Sequence, residues 1–169
     1  MKNNNKGFTL VELLAVIVVL AIVMGIAAVA ITNVLDSTRK NAYVASAKQF
    51  IAGAKTLVNA DEVEIMLGST NNKYAPKCDA TQTTKPIKLS DIRTEGGTND
   101  KSPYGNAIDK ASSFVNVKAV YDADTGTCTY EYSVYITDGV YAIGTAAAPV
   151  VEGSLNSNSV AVVSAGSGE

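Results

Sequence analysis

The stretch Lys6–Leu20, KGFTLVELLAVIVVL, governs how the rest of the chain is read. A basic residue and a glycine lead into an apolar run, and one acid, Glu12, stands four residues past Phe8. From Leu13 to Ile31 there follow 19 residues without a charge, dominated by Val, Ile, Leu and Ala. As a helix rising 1.5 Å per residue, that run reaches about 28 Å, close to the hydrocarbon thickness of a bilayer. Lys2 and Lys6 are the only cations ahead of it. They place the amino end in the cytoplasm and the remainder outside.

Three fates fit such a segment. One is a secretory signal cut after Ala28-Val29-Ala30, which satisfies the small-x-small pattern. The apolar region is longer than the roughly 7 to 15 residues of such signals, and Glu12 interrupts its start. The second is an uncut signal anchor, and the third is processing ahead of the run. A carboxylate at membrane depth is costly and calls for a partner. Read from charge alone, Glu12 has two accounts. It pairs with a cation, or it sits in the first turn of its own helix, favoured by the helix dipole and wetted by headgroups.

Beyond the run, Asp36, Arg39 and Lys40 mark the exit from the membrane. Tyr43, Val44, Ala47, Phe50, Ile51, Ala54, Leu57 and Val58 then recur at three- and four-residue spacing, one stripe of an amphipathic helix. Ser46, Lys48, Gln49 and Lys55 mark its other face. With no proline or turn cluster to interrupt it, one helix is predicted from Phe8 to about Asn59, on the order of 78 Å long. Asp61 to Leu67 can extend it by a turn or two, with Gly68 as a natural stop.

From Gly68 the composition turns to Asn, Thr, Lys, Ser, Pro and Gly. Residues 68–105 read as a long surface connection with a short strand at Pro86–Leu89. An antiparallel meander over 113–144 follows, built from Phe114–Tyr121, Thr129–Thr137 and Val140–Ile143. Its apolar face is Val115, Val117, Ala119, Tyr121, Tyr130, Tyr132, Val134 and Ile136, and Asp138-Gly139 is the predicted two-residue hairpin turn. A last strand is expected within Ser159–Ser164, ahead of a tail that frays. The predicted fold is therefore α+β: a long amino-terminal helix, apolar and exposed in its first half, with its second half packed on an antiparallel sheet of 3–4 strands.

Composition narrows the chemistry. Fourteen Lys and Arg against 16 Asp and Glu give no basic excess for nucleic acid. The absence of histidine removes the commonest general base and metal ligand. Two cysteines, Cys78 and Cys128, cannot build a multi-cysteine metal centre. In an exported protein such a pair is more often bridged than free, and a bridge would contribute roughly 3 to 4 kcal/mol; two buried thiols are the alternative. Asp122-Ala123-Asp124-Thr125-Gly126 looks like the opening of a calcium loop. Position twelve is Ser133 rather than an acid and position six is Thr127 rather than Gly, so a hairpin turn is the better reading. No catalytic residue, metal ligand or cofactor is predicted, and the protein is not read as an enzyme.

Lys6-Gly7-Phe8-Thr9-Leu10-Val11-Glu12-Leu13, followed by a long apolar helix, resembles the prepilin signature of type IV pilins and related pseudopilins. The resemblance covers roughly the first 30 residues, and a seven-residue leader before Phe is similar to the type IVa subclass. It implies cleavage between Gly7 and Phe8 by a prepilin peptidase, N-methylation of Phe8, and an assembly role for Phe8 and Glu12. The amine freed on Phe8 could pair with Glu12 within the same chain or from a neighbouring subunit, and the resemblance favours the neighbouring subunit. It further implies a helical homopolymer, an assembly platform and ATPase as partners, and use in adhesion, motility or biofilm formation. Localisation would be the cell membrane before assembly and an extracellular pilus afterwards. The implied division is leader 1–7, filament-core helix 8–31, amphipathic helix 32–60 and globular head 61–169. A pseudopilin of a secretion or DNA-uptake system is the near alternative, with calcium held by carboxylates of several loops as in some pseudopilins; a secreted or anchored binding domain is the distant one. This chain departs from many pilins in having no proline before Pro76, with Gly25 a milder weak point in the helix.

Overall fold

A computed structural model of the chain describes residues 8–68, 73–93 and 101–163. Helix α1 spans Leu10–Met66, and the chain divides into two compact units, Met1–Thr38 and Arg39–Glu169. In the first unit α1 stands by itself: every side chain described from Phe8 to Thr38 is exposed, the apolar ones included.

The second unit owns the core. From Tyr43 to Val58 the stripe read from the sequence is buried, with Leu57 alone among its members half-buried. Fully burying side chains the size of Phe50 and Ile51 contributes about 1.5–3 kcal/mol each. Ser46, on the solvent face by its spacing, is buried. Its hydroxyl donates back to the Ala42 carbonyl (3.2 Å), which lets a small polar side chain sit in the seam. Lys48 and Gln49 do face solvent. α1 runs past Asn59 to Met66 and stops at Gly68, whose φ of +91° takes the left-handed turn that ends a helix.

Six strands follow: β1 (Thr84–Lys88), β2 (Phe114–Asp122), β3 (Thr127–Thr137), β4 (Tyr141–Ile143), β5 (Val150–Val151) and β6 (Val160–Val162). They form one antiparallel sheet in the order β1-β2-β3-β4-β6, larger than the expected 3–4 strands. β2 pairs with β3 from Phe114↔Tyr135 to Asp122↔Thr127. β5 meets Ser133 and Val134, which β2 already pairs, so it lies on the opposite edge of β3. The alternation holds through the middle of both strands, where Val115, Val117, Ala119, Tyr132, Val134 and Ile136 are buried; Tyr121 and Tyr130 of the same face are half-buried toward the β2–β3 tip, and Thr137, on the polar face by alternation, is buried at the other end.

Two readings change. The β3–β4 turn is closed by Asp138 N–H on the Tyr141 carbonyl (3.0 Å), so its central pair is Gly139-Val140 rather than Asp138-Gly139. Gly139 supplies the positive φ (+84°), and the Asp138 side chain is freed to cap the turn. The segment after α1 is more than a surface connection: Ala75, Ile87, Leu89 and Ile92 join the core, and β1 begins two residues earlier than read. Asp61 draws this segment in. Its buried carboxylate accepts the N–H groups of Tyr74 and of Ala75 (2.9 Å). β6 falls inside the window expected for a last strand, and the tail expected to fray lies outside the described residues.

Candidate functional site

The amino-terminal end of α1 is built by four consecutive residues. Thr9 lies just outside the helix and Leu10 is the first helical residue. The Thr9 N–H and hydroxyl both donate to Glu12 Oε2 at 2.9 Å, and the Glu12 N–H donates to Thr9 Oγ1 at 3.3 Å. This reciprocal arrangement is a capping box, in which a Thr at the helix boundary and a Glu three residues on satisfy each other's backbone donors. The spacing Thr9-x-x-Glu12 is the sequence signal of this cap, which charge alone does not disclose. Within the isolated chain the carboxylate is therefore not a bare charge. It is held against the helix start by side-chain and main-chain donors of its own segment.

Phe8 lies just ahead of the cap, outside the helix and 88% exposed. Gly7 and the rest of the predicted leader lie outside the described residues. From Leu10 onward α1 is long and apolar enough to cross a membrane by length and composition. A shallow groove of about 290 Å³ along Ala15, Val16, Val19 and Leu20 adds no polar group to the site.

The remaining candidates lie in the second unit. Cys78 and Cys128 are joined by a disulfide, with Cα atoms 6.1 Å apart, tying the segment before β1 to the start of β3. At the β2–β3 tip, Asp122 Oδ1 accepts the N–H groups of Asp124 (2.9 Å) and Thr125 (3.4 Å), and the Asp122 carbonyl accepts from Gly126 (2.8 Å). The Thr125 hydroxyl and the Asp124 amide hold the Asp122 carboxyl below its ordinary range. Its oxygen is thus turned onto its own turn, as a hairpin requires. No group of three or more metal-ligating side chains occurs among the described residues.

One polar cluster was not anticipated. Asp138 is 8% exposed; its Oδ1 accepts from Val140 (2.9 Å) and Tyr141 (2.6 Å), and its Oδ2 from the Ser102 hydroxyl and Asn106 Nδ2 (3.3 Å). Four donors saturate the carboxylate, so it pins the 101–109 segment to the β3–β4 turn instead of offering a ligand site. Tyr104 of that segment stacks on Tyr141 at 3.6 Å and meets Tyr43 edge-on at 6.3 Å.

No curated protein and no solved structure matches the chain. The family model for the prokaryotic N-terminal methylation motif matches residues 2–28, the stretch that contains Gly7, Phe8, the Thr9–Glu12 box and most of the uncharged run. The amino-terminal segment carries a type IV pilin-like prepilin signal, set on a long helix followed by an antiparallel sheet.

Proposed function

We propose that the chain is the structural subunit of a type IV pilus, held in the membrane by the first half of α1 and then polymerised through it. The observation that carries this reading is the contrast between the two units. The head closes a core of its own, whereas the apolar side chains described from Leu10 to Leu35 are all exposed. A surface of that size needs lipid, other copies of the same helix, or each in turn. Hydrolysis of the Gly7–Phe8 bond by a prepilin peptidase removes Lys2 and Lys6 with the leader and frees the Phe8 amine for methylation. A platform and ATPase then draw subunits from the bilayer into the fibre, where apolar helix halves replace lipid around one another.

Mass spectrometry of the amino-terminal peptide from the native host tests the reading. A methylated Phe8 terminus is expected, together with sheared surface fibres that contain this chain. A terminus at Ile31 would mean ordinary secretion, and a retained Met1 a plain anchor. Either would overturn the proposal.

A further inference from the structure

We infer that the outer edge of β6 is a self-pairing surface, on which β6 of a second copy adds antiparallel, so that fibres of this chain associate side by side. The inference rests on the polymer proposed above and concerns what the heads do once they are held in rows.

The sequence treats the two ends of the sheet differently. β1 and β6 close the strand order, and neither has a partner on its outer side among the described residues. β1 reads Thr84-Lys85-Pro86-Ile87-Lys88, with two cations and a residue that lacks an N–H. Lysine and proline guard an open edge against the addition of another strand. β6 reads Val160-Ala161-Val162 and runs on into Val163, with neither guard. From Gly139 to Val163 the only charged residue is Glu152, and Lys55 pairs with it at 2.7 Å.

Backbone geometry decides which groups this edge offers. β4 pairs β6 antiparallel, with Tyr141↔Val162 and Ile143↔Val160 in register. The Val163 N–H donates to the Val140 carbonyl at 2.7 Å, so Val140 and Val163 are a hydrogen-bonded pair. Bonded and non-bonded pairs alternate along an antiparallel ladder, which makes Tyr141↔Val162 a non-bonded pair. The Val162 N–H and C=O therefore point away from β4, toward the open side. The Val160 N–H points the same way and is taken by the Ser157 carbonyl. Val162 is 67% exposed, and Val140 and Val163 are further exposed apolar side chains beside it.

A second β6 is the occupant these features fit. In an antiparallel pair centred on Val162, the N–H of each copy meets the carbonyl of the other, so one residue supplies both halves of the contact. No like charges oppose each other there, whereas two β1 edges would set lysine near lysine. Such a contact is isologous, the same patch on both partners, and a fibre whose subunits all point one way has no place for it internally. It joins one fibre to the next. Three residues are too few to hold two free heads together. A fibre repeats the edge at every subunit, and weak contacts multiplied along a row become firm.

The test uses sheared fibres of the wild type, Val162→Lys and Val162→Glu, read by low-speed sedimentation and electron microscopy. Wild-type fibres are expected to sediment as lateral bundles. Either variant alone should lose at least about 10-fold of that material, because like charges then stand opposite each other at every contact. Mixing the two variants in equal amounts at low salt is expected to recover at least half of the loss, and about 0.5 M NaCl to abolish the recovery. Mixing would not repair a folding defect at residue 162. Variants that bundle like the wild type, a mixture that stays single, or wild-type fibres that never bundle would overturn the inference. A second measurement needs no fibres. The full chain, held singly in neutral detergent micelles, is titrated with the acetylated and amidated peptide Ser157–Val163. The Val162 amide resonance is expected to shift while those of Lys85, Ile87 and Lys88 stay in place; an unmoved Val162 amide would equally overturn the inference. A chain that forms no fibres at all would sink the polymer reading instead, and the peptide titration would then decide the fate of the edge.

Discussion

Asp138 illustrates how a single buried charge organises a fold. Burial pushes its carboxyl up, but the Ser102 hydroxyl, the Tyr141 and Val140 amides and the Asn106 side chain outweigh that and hold it below the ordinary carboxylate range. A carboxyl depressed in the folded state contributes stability that is present above its unfolded value of about 3.9 and is lost as pH falls through the folded value. Asp138→Asn keeps the shape but points donors at donors, and is expected to lose about 1–3 kcal/mol at pH 7. At pH 3 the gap between wild type and variant should narrow, because the wild type has begun to surrender the same interactions. Asp109 and Asp122 are also held low, and both remain in the variant, so the difference isolates Asp138. Urea melts of the full chain in micelles at the two pH values measure it; a gap that does not change with pH would refute the account.

At the scale of elements, the contact between α1 and the segment after β1 depends on an absent side chain. A Cβ on Gly53 would lie 2.4 Å from Ile92 Cγ2 and 3.1 Å from the Arg93 carbonyl oxygen. Helix propensity alone favours Ala over Gly by about 1 kcal/mol. Overpacking against a buried, stiff β-branched neighbour and a backbone oxygen costs about 1–3 kcal/mol, so Gly53→Ala should be net destabilising by about 1 kcal/mol. Gly25→Ala meets nothing within 4 Å and should be neutral or slightly stabilising. Truncating Ile92 to Ala in the Gly53→Ala background should recover part of the loss beyond additivity, read from the same melts as a double-mutant cycle. This contact also shows where sequence reading stops. The stripe from Tyr43 to Val58 and the alternation in β2 and β3 were legible because burial repeats at the period of the element. Gly53 interrupts no period, β5 is two residues long, Asp61 acts on the backbone amides of Tyr74 and Ala75, and Asp138 holds the distant side chains of Ser102 and Asn106. None of these leaves a periodic trace. The Thr9–Glu12 box is legible in another way, by the fixed three-residue spacing that a cap requires.

At the scale of the molecule, folding and anchoring are assigned to different lengths of one helix. The first core residue of α1 is Tyr43, four positions past the boundary at Arg39, and no side chain described before Arg39 is buried. A fragment from Arg39 to Glu169 should therefore keep its whole core, the Cys78–Cys128 bridge and the Asp138 cluster. It is expected to be soluble without detergent, monomeric by sedimentation, and to unfold in one cooperative urea transition within about 1 kcal/mol of the full chain in micelles. The full chain is expected to need detergent, since it keeps the exposed apolar run of α1. Four residues ahead of Tyr43 give about one helical turn, enough to fray without reaching the core. A fragment that aggregated or melted gradually would mean that the head draws stability from residues before Arg39. The apolar half of α1 would then serve folding as well as anchoring.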